Sequence, residues 1–157
     1  MNNIITLGRR ALIDRLTTIM PAAGYFTAAG ANVRGGWFNE VLHEKGVAFP
    51  LIVVQKAKGL PPQPGPHAMK VFSGFNVVGA VNVDLDNYED AAEEMEHDLL
   101  RCLMPQLANL PDWLPRGISG ITVGAPESFP PAEGVRAASV LIPVHLHTII
   151  QEPRNGR

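Results

Sequence analysis

The sequence predicts an α/β fold of the α+β kind: a mixed, mainly antiparallel sheet with two main helices packed on one face, in a single domain spanning residues 1–157. Three observations predict it. Two amphipathic helical stretches lie far apart in the chain, one short run is continuously aliphatic and mostly β-branched, and two long segments alternate with the period of two that marks strands.

In the first helical stretch Ile5, Leu12, Leu16, Ile19 and Met20 recur on one side, while Arg9, Arg10, Asp14 and Arg15 fall largely on the rest of the surface. The helix is expected to stop near Met20, because Pro21 disfavours helical geometry in the residue before it and Gly24 follows. Glycines 30, 35 and 36 then leave room for one short strand around residues 31–34. Leu51-Ile52-Val53-Val54, introduced by Pro50, reads as a central strand covered on both faces. Pro61, Pro62, Pro64 and Pro66 remove backbone donors and fix φ, so residues 57–68 are expected to form a long exposed loop without regular structure.

From residue 69 to 84, Val71, Phe75, Val77, Val81 and Val83 alternate with Lys70, Asn76, Asn82 and Asp84, predicting a half-buried strand. Gly74 and Gly79 mark bends or bulges along it. Short polar side chains at 84–87 are placed to cap the second helix. There Ala91, Ala92, Met95, Leu99, Cys102 and Leu103 form an apolar stripe, with Glu89, Asp90, Glu93, Glu94 and Glu96 opposite it and near the favourable N-terminus. That helix should end around Met104, before Pro105, and a loop over 109–117 should hold Trp113 between Pro111 and Pro115. A short strand is expected over 118–123. A final long strand over 139–151 puts Val140, Ile142, Val144, Leu146 and Ile150 on one face and Leu141, Pro143, His145, His147 and Ile149 on the other; Pro143 points to an edge or a bulge.

Composition narrows the function. Hydrophobic residues are 46% and charged residues only 18% of the chain, so apolar surface is ample and some of it is expected to be covered by a partner. The formal net charge of -2 provides no footprint for wrapping nucleic acid or coating an anionic membrane, and no apolar run approaches bilayer length. The N-terminus lacks the basic and apolar regions of a secretion signal, and the single cysteine excludes an internal disulfide; both fit a cytoplasmic start in a reducing compartment.

No catalytic constellation is complete. Gly117, Gly120 and Gly124 miss the dinucleotide spacing, no phosphate-cradling loop ends in Lys and Ser or Thr, and Ser73 lacks the upstream glycine of a nucleophile elbow. His145 and His147 project from one strand face and need a third ligand from His43, His67 or His97 to bind a metal. Two partly exposed histidines on the solvent or subunit side of an edge strand are the favoured reading, so no catalytic residue, metal or cofactor is assigned. Cys102, on the apolar stripe, reads as a small hydrophobe, and the acidic run 89–96 as a solvated face. Trp37, Phe38 and Trp113 stand beside glycines and prolines in loops; they are candidate partner anchors, the alternative being aromatics folded back over the core.

The amphipathic start, then Gly24-Tyr25 with Ala29-Gly30, Val33 and Arg34, then Pro50-Leu51-Ile52-Val53-Val54, resembles the tail terminator (minor tail protein U, or tail completion) family of long-tailed bacteriophages. The likeness continues through Val81-Asn82-Val83-Asp84, the helix with Asp98 and Leu99, Glu133-Gly134, and the closing strand near Glu152-Pro153. It rests on layout across nearly the whole chain. The resemblance implies a structural virion protein without enzymatic activity: a homo-oligomeric ring, usually a hexamer, that stops tail-tube polymerisation and offers its other face to the head–tail connector. It implies assembly in the host cytoplasm and residence in the tail or neck. The partner-binding residues expected on this basis are Arg34, Trp37, Phe38, Leu60, Pro61, Pro62, Pro64 and Trp113, against tube, connector or a further copy. The alternatives are another neck or head completion protein and, from a different class, a small metal-binding or hydrolytic enzyme.

Overall fold

The computed structural model describes residues 3–83, 87–104, 111–132 and 135–154. Helix α1 (Ile4–Leu16) is followed by 3-10 turns at Pro21–Ala23 and Ala29–Ala31, strand β1 (Val33–Gly35), a short helix α2 (Phe38–Leu42), and strands β2 (Leu51–Gly65) and β3 (Ala68–Asn82). Helix α3 (Tyr88–Leu103) leads to β4 (Ile118–Val123), β5 (Glu127–Phe129) and β6 (Ala137–Gln151). The sheet runs β1-β2-β3-β6-β4, with β5 also on β6; β1 and β2 are parallel and every other pair is antiparallel. The fold is therefore α+β, with a mixed, mostly antiparallel sheet.

Both main helices lie on one face. Leu12 and Leu16 of α1 and Met95, Leu99, Cys102 and Leu103 of α3 join Phe75, Val77, Ile142 and Val144 in the larger core cluster. The apolar stripe expected for α3 is the buried one, and Glu89, Asp90, Glu93 and Glu94 are exposed. Gly79 lets this helix approach the sheet: a Cβ there would lie 2.6 Å from Met95 Cγ. Asp98, also on the buried stripe, is fully enclosed, and its two carboxylate oxygens accept from the Phe26 and Thr27 amides and the Thr27 hydroxyl at 2.7–2.9 Å. This clamp ties the irregular segment after α1 to α3.

Several expectations are corrected. Helix α1 ends at Leu16 and not near Met20, because Thr17 and Thr18 turn their hydroxyls onto the Asp14 and Arg15 carbonyls and compete with continued helix. Ile19 is nevertheless fully buried. Asn87 makes no side-chain cap on α3, and positions 84–86 fall outside the described residues. So do 105–110, which take in the start of the loop expected over 109–117.

The largest correction concerns residues 57–68. They are the far half of a β-hairpin, with Leu60 paired to Phe72, Gln63 to Lys70 and Gly65 to Ala68, closed by Pro66 and His67 in a tight turn. Prolines fit for two reasons. Beyond Val54, β2 has β3 on one side and no strand on the other, so donors missing on the outer edge cost no ladder bond. Register shifts between Ala57 and Leu60 and between Leu60 and Gln63 absorb one extra residue each, and the second holds Pro61 and Pro62. Gly74 faces the first shift, where a Cβ would lie 2.3 Å from the Lys58 carbonyl oxygen, so the bulge expected from the glycine is real but sits on the partner strand.

Pro143 is likewise not on an edge. Strand β6 pairs with β3 along its length and with β4 and β5 on its other side. The Gly124 amide donates to the Pro143 carbonyl at 2.7 Å, so the backbone polar groups of Pro143 face the junction between β4 and β5. N–H and C=O of one residue point to the same side of an antiparallel strand. The missing donor therefore falls where no strand pairs.

Candidate interaction surface

The sheet face opposite α1 and α3 is covered only at one end. Val41 of α2 packs there with Leu51, Val53, Ala80 and Ala137 in a second, smaller cluster, joined by Phe38, Leu42 and Phe49. The Phe38 amide donates to the Gln55 side-chain carbonyl at 3.0 Å, fastening the start of α2 to β2. Arg34 forms an exposed bidentate ion pair with Glu44, linking β1 to the segment after α2. The Arg34 hydrogen bond holds the Glu44 carboxyl below its ordinary range.

Between α2 and the β5 segment lies a groove of about 540 Å³. Its floor is Val78, Leu141 and Ala137, and its sides include Trp37, Phe38 and Leu42 from one region and Phe129 and Pro130 from the other. Trp37 is 54% and Phe129 41% exposed. His43 is the one ionisable side chain among the described residues lining it, and its Nδ1 is engaged with the Asn39 carbonyl at 2.6 Å. Such a surface offers apolar and aromatic contact.

The expected partner residues are distributed over three places. Trp37 and Phe38 line the groove, with Arg34 nearby in sequence on β1. Leu60, Pro61, Pro62 and Pro64 are exposed on the hairpin. Trp113 is elsewhere: half-buried against the helix-side core, with the Arg15 guanidinium 6.0 Å from its ring. It follows the reading of a loop aromatic folded over the core. Phe129 was missed, although it carries the signal that singled out Trp37, a large aromatic beside Pro130 and Pro131.

The histidine pair sits on the same open face, but on an interior strand and not an edge. His147 Nε2 is 2.6 Å from the Thr122 hydroxyl, and its ring meets Phe72 edge-on at 5.0 Å. Burial, then the charges of Lys70 and His145, push its pKa down. The proposed third ligands are scattered: His43 on the segment after α2, His67 paired with Glu152 at the hairpin tip, and His97 against Phe26 on α3. Among the described residues no three His, Cys, Asp or Glu side chains converge on a metal position. Cys102 is buried, its thiol donating to the Arg15 carbonyl at 3.3 Å, and burial raises its pKa. No described helix is long and apolar enough to cross a membrane.

Compared with models of known families and with curated proteins, the chain matches none.

Proposed function

We propose that this chain is a structural subunit of a phage or prophage tail, a terminator that joins copies of itself into a ring, six-fold by the family resemblance. The ring caps the tail tube, stops its polymerisation, and presents a second surface to the head–tail connector. The subunit works by contact and needs no cofactor. It acts in the virion tail or neck after assembly in the host cytoplasm.

The observation that carries this reading is the asymmetry of the sheet. One face is sealed by two helices, while the other exposes an aromatic groove at one end and a proline-bearing hairpin at the other. Two different apolar patches on one subunit suit head-to-tail association, which closes into a ring when the rotation permits. Apolar surface of this kind, flanked by polar residues, marks protein contact sites.

The test is sedimentation of the purified protein across concentration, followed by electron microscopy of the protein mixed with tail tubes. Rings in solution or seated on tube ends are expected. Substrate turnover by protein that neither forms rings nor docks on tubes would overturn the proposal.

A further inference from the structure

Of the eight exposed large hydrophobic residues described, Trp37 and Phe129 lie at the groove and Leu60 on the hairpin, while Met69, also on the hairpin, faces the helix side of the sheet with Phe75 and Val77. Leu60 pairs with Phe72 and Phe72 with His147, which places Leu60 on the same sheet face as the groove. The patches differ in chemistry. One is lined by aromatic rings, and the other is a proline-rich edge, Leu60-Pro61-Pro62-Gln63-Pro64.

These two chemistries fit one another. Prolines lack the donors for adding a strand to a neighbouring sheet, so this edge is suited to contact through its rings and side chains. Proline-rich segments dock in aromatic grooves, because the rings stack well and the fixed φ lowers the entropy lost on binding. Charge agrees with shape. On the groove face the hairpin presents Lys70, opposite Gln63, and residues 51–82 contain no carboxylate, Glu152 at the tip being paired with His67; exposed Glu127 precedes Phe129 by two residues, on the same face of β5.

A single copy cannot make this contact with itself. Along β3 the groove floor at Val78 and the hairpin position Lys70 are eight residues apart. At about 3.3 Å per residue they are separated by on the order of 25 Å of continuous sheet. The occupant of the groove has to come from another molecule.

We propose that the β2–β3 hairpin of one copy docks in the Trp37–Phe129 groove of the next, and that this head-to-tail contact is the repeating joint of the ring. The inference rests on the ring reading above and names its contact. Hairpin and groove each occur once per subunit, so every copy gives one and receives one, as a closed heterologous ring requires.

Two variants of the full chain with one added cysteine each, Gln63→Cys on the hairpin and Asn39→Cys at the groove, test the joint, since both positions are exposed and the native Cys102 is buried. Mixed under assembling conditions, with or without tail tubes, and mildly oxidised, they should give a 63–39 disulfide between different chains, several-fold above either same-site disulfide. The double variant should give a covalent ladder that stops at the ring. Trp37→Ala and Leu60→Ser, each checked for native circular dichroism, should weaken association at least ten-fold. Rings that form without the mixed disulfide and ignore both substitutions would overturn the joint and leave the ring reading standing. The mixed disulfide in open filaments would support the joint and sink the ring. Neither disulfide, rings nor tube docking would remove both.

Discussion

The two halves of β2 have opposite characters within one strand. Leu51 to Val54 are all buried, flanked by β1 and β3, with side chains in both core clusters. From Lys56 onward the strand has one neighbour, its outer edge is open, and Leu60 is 50% exposed. The first half specifies register, because a one-residue slip would exchange two buried faces. The second half tolerates two register shifts and three prolines, because little is buried there to forbid them. Stability is thus concentrated under the helices, and contact surface on the open face and along the free half of β2, so substitutions should separate folding from assembly.

The sharpest break in that division lies at Asp98. Removing its carboxylate leaves two buried-side amides and a hydroxyl without their acceptor. At roughly 1–3 kcal/mol per unsatisfied group, partly relieved by water, Asp98→Ala should cost on the order of 4 kcal/mol in chemical denaturation. Asp98→Asn, which keeps one acceptor, should cost visibly less; equal losses would show that packing matters more than the clamp. Next comes Gly79→Ala, which drives a methyl into Met95 and Leu99 side chains. Methionine yields, so about 1–2 kcal/mol is expected, within the usual range for overpacking. On the open face Trp37→Ala should change unfolding free energy by no more than about 0.5 kcal/mol, as for an exposed position without a special role in the fold. A large loss there would mean that Trp37 supports the fold and is no free contact residue.

Much of this division was legible in the residues. The four-residue aliphatic run, the alternation through Phe75 and Val77, and the stripe from Ala91 to Leu103 each match a buried face, because burial shapes the pattern of the sequence. Pro61, Pro62 and Pro64 misled for a physical reason: proline reports a missing donor, and only the sheet order reveals whether that donor had a partner to lose. Pro143 misled in the same way, since the junction between β4 and β5 is made by chain distant from it. The role of Asp98 could not be read from its own helix, because its burial depends on amides from 71 and 72 residues earlier. The groove joins Trp37 to Phe129 across most of the chain, so a sequence could name the aromatics but not their meeting.

The smallest expected effect belongs to the partly buried His147. Burial first, then Lys70 and His145, make its protonated form less favourable in the folded protein than in the unfolded chain, whose histidine titrates near ~6.5. Below that pH the unfolded state binds the additional proton first, so stability is present at neutral pH and falls as the solution is acidified through the unfolded pKa toward the lower folded value. Removing Lys70 takes away one source of repulsion. Lys70→Met should therefore flatten the dependence of the denaturation midpoint between roughly pH 7.5 and 5, and His147→Gln should remove the portion due to this ring. An unchanged acid slope in His147→Gln would assign it to other groups. A steeper slope in Lys70→Met would mean that the lysine does not oppose protonation of His147 in the folded protein.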